Sequence, residues 1–446
     1  MNHSKSFTLT VLAAVSALSL TACAGSSSPS TAATSSGASN TVTFRSWSPV
    51  DQTTAAMVKA FEDANPGSTI DATIFNYPEY IVDLQTRASS GTMPDLVGLQ
   101  PGALTQQYRS NLTPLNDCAV KTWGADWEDK FYPVGLDQAR AGNPEGDENY
   151  YALPVLTQTV NMWANTEIFD KAGATVPKTW DELKPTVDKL AAADDQAAPF
   201  LLPAKDSWLR NVVFMQIANN ISPGIVQQAE GGEVKWTDAK IVEAIDYWGK
   251  LFTEGIAQQG AIGLDAYPSG ANQFEAGKAA MIPLGAWWIQ QSDPTKDQSQ
   301  IPPLSVGMSG YEPFLFPTIP GGAAESQLVG GIDLAMGISK NSANPDLACK
   351  VLTDWIAGGG AQKLVDTMND IPAVTGLNPT NFTSDKQKQM WDQLANQWLP
   401  EVKYSRYFDD PKIDQAVADA LAAVATGSQT PQDAAASVQA VQDSLS

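Results

Sequence analysis

Short apolar runs alternate with longer amphipathic ones through the first part of the chain. Thr41-Val-Thr-Phe-Arg-Ser-Trp47 is rich in β-branched and aromatic residues and predicts a strand. Ser48-Pro49 predicts a helix cap with proline at the first helical position. Met57, Val58 and Phe61 then follow at helical spacing. Asn65-Pro66-Gly67 ends that helix, and Ser68 to Phe75 predicts the next strand. Tyr80, Leu84 and Arg87 mark a second helix, stopped by Ser90-Gly91, and Pro94-Asp-Leu-Val-Gly-Leu99 predicts a third strand. This alternation predicts an α/β architecture with mainly parallel strands. Ligands of such sheets sit beyond the carboxyl ends of the strands, where Trp47, Asp51 and Gln100 fall. A body of about 400 residues is too large for one core and predicts two domains. No long Pro/Gly-rich linker divides it, which predicts lobes that exchange chain segments.

The N-terminus departs from this pattern. Lys5 precedes an apolar stretch, Phe7 to Leu20, whose roughly 14 residues fall short of the roughly 20 that a stable membrane span needs. Leu20-Thr-Ala-Cys23 closes the stretch and resembles the lipobox of bacterial lipoproteins. The resemblance implies a signal peptide over residues 1–22, cleavage before Cys23, and lipid on the thiol and new amino group of Cys23. Ala24 to Asn40 is almost entirely Ser, Ala, Thr and Gly, which predicts a flexible tether. Residues 23–40 would hold the body roughly 20–25 Å from the outer face of the cell membrane. The Ala, Ser and Gly richness suits a Gram-positive, actinobacterial-like source.

Charge and composition narrow the chemistry. With 27 Lys and Arg against 49 Asp and Glu, the net charge of −22 repels nucleic acid and anionic lipid. The one histidine, His3, lies in the signal segment, so Ser-His-Asp and Cys-His catalysis and histidine metal sites are excluded. A mechanism using carboxylates alone stays open. No cofactor is expected. If Cys23 carries lipid, Cys118 and Cys349 remain, either as a disulfide outside the cytoplasm or as two buried thiols. Neither lies in a CxxC pair. Gly277-Lys278 is not a phosphate-binding loop, because Asn272 and Ala279 stand where that loop needs Gly and Ser or Thr. The 13 tryptophans suit cores and sugar-binding surfaces alike.

Six blocks, in order, carry a resemblance over nearly the whole body. They are Phe61-Glu-Asp-Ala-Asn-Pro-Gly67; Ser90-Gly-Thr-Met-Pro-Asp95; and a long block from Tyr151-Ala-Leu-Pro154 through Asn161-Met-Trp-Ala-Asn165 and Ile168-Phe-Asp-Lys-Ala-Gly173 to Pro177-Lys-Thr-Trp-Asp-Glu-Leu183. Then come Phe274-Glu-Ala-Gly-Lys-Ala-Ala-Met-Ile282 with Gly285-Ala-Trp287, Gly330-Gly331 through Asn344-Pro345, and Gly427 to Ala434. Together they resemble the extracellular sugar-binding proteins of ABC importers, the family that includes maltose-binding protein. Each block also reads physically: Thr179, Glu182 and Leu183 form a helix start with a capping box. Gly173, Gly277 and Gly331 mark turns or close backbone approaches.

The resemblance implies an α/β, two-lobed fold of the type II periplasmic-binding-protein kind, with a ligand cleft between lobes joined by hinge segments. The first lobe would hold residues 41–150 and 331–374, the second 151–330 and 375–446. Cys118 and Cys349 then share the first lobe. The protein would be no enzyme. It would be a monomer that captures a carbohydrate, a di- or oligosaccharide, and hands it to membrane permease subunits served by an ATPase. Trp287 matches the position that stacks on sugar, and Trp288 would point into the core. Trp47, Asp51 and Gln100 would contact hydroxyls from the first lobe. Gln158 and Asn161 lie where the chain enters the second lobe, and Gln158 departs from an acidic residue common in the family. Gly330, Gly331 and Asp333 would form a small-residue loop close to the ligand. Trp208 and Arg210 are cleft candidates, Arg for its reach to vicinal hydroxyls. Tyr407 is a weaker one, with Tyr77, Tyr311 and Phe316, for which core or lobe-surface roles compete. Asp95 reads as structural. The alternatives are a binding protein for a non-sugar solute and a glycosidase that uses two carboxylates.

Overall fold

A computed structural model describes residues 40–194, 197–292, 310–382 and 384–445. The signal segment, Cys23 and the tether up to Ser39 lie outside the described residues. Three strands, β1 (Thr41–Ser46), β2 (Thr69–Ile74) and β3 (Leu96–Leu99), follow the predicted runs. Helices Asp51–Ala64 and Tyr77–Ser90 lie between them. One detail differs from the expected helix start. Ser48-Pro49 is a cis peptide, and the first helix begins two residues later, with Val50 at its N-cap and no side-chain cap.

The long strands β4 (Leu153–Asn165) and β7 (Val329–Ile338) lie at the centre. With β5 (Met281–Gly285), β6 (Tyr311–Phe314), β8 (Ile371–Pro372) and β9 (Tyr404–Ser405) they complete one curled sheet. Its main path runs β2-β1-β3-β7-β4-β5. The expectation of mainly parallel strands is corrected here. β1 pairs parallel with β2 and β3, and β7 with β9, but β7 runs antiparallel to β3 and β4. β5, β6 and β8 also pair antiparallel with β4. The reason is topological: a chain that passes from one lobe to the other on β4 must return on β7.

Two cores flank this crossing. The first gathers Val42, Phe44, Leu96, Val97, Leu153, Leu156, Ile332, Met336 and Trp355. The second gathers Val160, Met162, Val213, Phe214, Trp248, Val329, Phe408 and Leu421. A third cluster, around Trp163, Trp288, Tyr311 and Trp391, adjoins the second. β4 and β7 thus change cores between Leu156 and Val160 on one strand and between Ile332 and Val329 on the other. At that point β4 carries register shifts from Pro154 to Thr157, and such bulges bend a strand. This is a two-lobed α/β fold.

Side chains brace the first lobe. Asp95 accepts from Thr43 N at 2.8 Å, Thr43 Oγ1 at 2.7 Å, Ser342 Oγ at 2.6 Å and Ala343 N at 3.1 Å, so it ties the start of β3 to β1 and to the turn after β7. Cys118 and Cys349 are joined as a disulfide. In the second lobe, helix Trp180–Ala193 opens with the Thr179–Glu182 capping box. No helix among the described residues is long and apolar enough to cross a membrane.

Candidate functional site

Parallel strands β1 and β3 end side by side, so the residues after them share one edge of the first lobe. Trp47 follows β1 and Gln100 follows β3. Tyr77, at the first position of its helix, links them. Its ring meets Trp47 edge-on at 5.3 Å, and its hydroxyl donates to Gln100 Oε1 at 2.7 Å. Burial holds this hydroxyl well above the ordinary tyrosine pKa, against the pull of Arg406.

The second lobe presents its own aromatic wall. β5 ends at Gly285, and Trp287 folds back over that glycine, where any Cβ would meet the indole ring. The indole Nε1 donates to the Tyr267 hydroxyl at 2.5 Å, and Trp208 packs edge-on at 6.0 Å. Trp288 is fully buried, as expected, but it sits on a 3-10 helix (Ala286–Ser292) and not on an extended segment whose alternation would turn it inward.

The floor is polar. Asp333 is the one β7 residue that is not buried. Its Oδ1 accepts from Gln158 Nε2 and from Arg406 Nη2, both at 2.7 Å. The Arg406 guanidinium also donates to the Tyr407 hydroxyl and lies over the rings of Tyr407 (4.4 Å) and Trp287 (5.2 Å). Burial, then the neighbouring Asp333, pushes the Asp370 carboxyl far up. The charges of Arg406 and Asp333 act on the hydroxyls of both Tyr77 and Tyr267, so both tyrosines lie within electrostatic reach of this pair.

Of the residues singled out in the sequence, Trp47 and Gln100 meet through Tyr77, and Gln158, Trp208, Trp287, Asp333 and Tyr407 are linked through Arg406 and Trp287. The others sit differently. Arg210 is buried and spends its donors on the carbonyls of Ala204, Lys205 and Ala418. Asn161 is buried and bonded to Met162 O and Thr159 Oγ1. Asp51 is exposed in the first turn of its helix, where the helix dipole alone favours an acid. Gly330 and Gly331 lie inside strand β7 rather than in a loop. The room beside Gly331, at φ +108°, is filled by Gln138, which donates to Gly330 O and accepts from Ile332 N, both at 2.9 Å. Tyr267 and Arg406 were not singled out. The only signal for Arg406 was its place beside Tyr407 in a short aromatic segment.

Two α/β lobes crossed by paired strands, each with its own aromatic cluster, are the architecture of a receptor for a small solute. A profile of bacterial extracellular solute-binding proteins matches residues 46–368, and the chain belongs to that family. It is an extracytoplasmic binding protein of the ABC-importer type, not an enzyme. The chain is 25% identical over 337 residues to the multiple sugar-binding protein of Streptococcus mutans, covering 74% of this chain and 73% of that one. A chitin oligosaccharide binding protein shares the fold, with TM-score 0.74 and 24% identity over 91% of this chain and 98% of that one. So does a maltose-bound protein of T. maritima, with TM-score 0.72 and 16% identity over 91% of this chain and all (100%) of that one.

Proposed function

We propose that this protein captures a carbohydrate, a di- or oligosaccharide, between its lobes and delivers it to the permease of an ABC importer. One observation carries the reading: each lobe presents an aromatic pair, Trp47–Tyr77 and Trp287–Tyr267, and Arg406, bonded with Gln158 to Asp333, lies over Trp287. Sugar rings have apolar CH faces and a rim of hydroxyls, and indole faces over a floor of acceptors and donors suit both. The sugar ligands of the similar proteins point the same way. Closure follows the hinge logic of two-lobed receptors, in which ligand stabilises the closed state. The lobes comprise residues 41–150 with 331–374 and residues 151–330 with 375–446, the start of β4 up to Leu156 still packing in the first core. The monomer is held at the outer membrane face by lipid on Cys23.

Calorimetric titration of the purified chain with mono-, di- and oligosaccharides tests this. One-to-one binding at micromolar or tighter affinity, with the sugar recovered intact, is expected. Cleavage would replace the reading with carboxylate catalysis, and silence across the panel would favour a non-sugar solute. For the anchor, a C23S variant is expected in the culture medium, and the parent with the cells.

A further inference from the structure

We propose that the cleft selects uncharged sugars and turns away uronic acids and other anionic saccharides, with Asp333 setting the preference. The inference rests on the sugar reading above.

The floor of the cleft holds one guanidinium among the described residues named there, and its charge is already spent. Arg406 is only 5% exposed. Its Nη2 donates to Asp333 Oδ1 at 2.7 Å and to the Tyr407 hydroxyl, and its plane is covered by Trp287 and Tyr407. Capture of a carboxylate by arginine needs the fork of donors free and aimed at the solute. Here Nη2 alone is bonded, to Asp333 and Tyr407, and Nε is buried without a partner among the described residues, out of reach of a solute.

What the floor turns toward a solute instead is the carboxylate side of this neutral pair. Asp333 Oδ1 is saturated by Gln158 and Arg406, whereas Oδ2 makes no hydrogen bond among the described residues. The side chain keeps 15% of its surface open. An open carboxylate oxygen accepts from a sugar hydroxyl and repels a sugar carboxylate. Asp370 stands behind it, fully buried, its Oδ1 on Ile371 N at 2.9 Å and its Oδ2 without a partner. Whatever its protonation state, Asp370 adds no positive charge. Opposed like charges in a partly desolvated site weaken binding by about 100-fold.

Matched ligands test this on the whole chain by titration calorimetry. Each neutral sugar that binds is compared with the uronic acid made by oxidising its primary alcohol, and with the corresponding uronamide. The uronate is expected to bind about 100-fold more weakly than the parent sugar, and the uncharged amide within about tenfold of it. In D333N, which keeps the amide oxygen as acceptor for Gln158 and Arg406, the uronate penalty is expected to shrink at least about tenfold. A uronate that binds the parent protein as well as its neutral partner overturns the inference while leaving the sugar reading intact. An amide as weak as the uronate overturns it too, because size rather than charge would then discriminate. If D333N fails to fold, the comparison on the parent protein still decides. If no neutral sugar binds, the sugar reading falls and this inference with it.

Discussion

The guanidinium of Arg406 lies 5.2 Å from the ring centre of Trp287, and the same indole donates to the Tyr267 hydroxyl. Trp287 is therefore held by a cation and a phenol at once, which fixes its plane before any solute arrives. Replacing it by alanine removes the second-lobe platform and uncovers Arg406. Stacking and cation–π contacts of about 0.5–2 kcal/mol each predict a loss of about 10–100-fold in affinity. W287F is expected to keep part of it. Titration with the best ligand decides, and an alanine variant that binds like the parent would remove Trp287 from the site.

Gly331 and Gln138 form a second dependent pair. At φ +108° a side chain is strained, and a Cβ would lie 2.0 Å from Gln138 Oε1. G331A is expected to cost about 2–4 kcal/mol, from backbone strain and from the loss of the Gln138 bonds to Gly330 and Ile332. Q138A loses those bonds without the strain and is expected to cost about 1–3 kcal/mol. Urea unfolding of both variants checks the order.

How much of this was legible along the chain follows from how local each signal is. β1, β2, β3 and the helices between them are set by apolar periodicity and turn residues within a dozen positions, so they could be read directly. The direction of β7 could not, because its neighbours β3 and β4 are fixed by the return between lobes. The site divides the same way. Trp47 and Gln100 follow strands whose ends were predictable, and Trp287 stands in a recognisable block. Arg210 and Arg406 look alike in sequence. Only packing shows that the first is absorbed by backbone carbonyls while the second reaches the floor. Tyr267 sits in an irregular turn with no periodic neighbours to place it.

The Cys118–Cys349 bridge spans 231 residues. Closing so long a loop restricts the unfolded chain, and replacing both cysteines by serine is expected to cost about 2–5 kcal/mol. Thermal melts of the double variant, and of the parent with and without reductant, should show the loss. A parent that melts alike in both conditions would mean that the bridge is absent or idle.

Glu230 gives a pH dependence with a definite sign. Burial, then Asp409, raises its carboxyl from 4.5 to about 8, although Oε1 accepts from the amides of Asp409 and Asp410. The folded state therefore holds this proton where the unfolded chain has released it. The stabilising contribution is complete below pH 4.5 and is lost as pH rises to about 8. E230Q, which keeps the accepting oxygen, is expected to flatten the fall in stability across that window and to raise the melting temperature at its upper end. Melts at half-unit pH steps, parent against variant, test the slope.

The position of β7 between β3 and β4 also governs the order in which the molecule can be completed. When β3 first emerges it has β1 on one side and nothing on the other, and that bare edge persists until Val329–Ile338 has followed. The first lobe is thus started first and left open at this edge while β4 and the segment up to Leu328 emerge. For that interval its unpaired amides and carbonyls are open to a neighbouring chain. The vulnerable moment in the life of this protein falls during its emergence, before any solute meets the cleft.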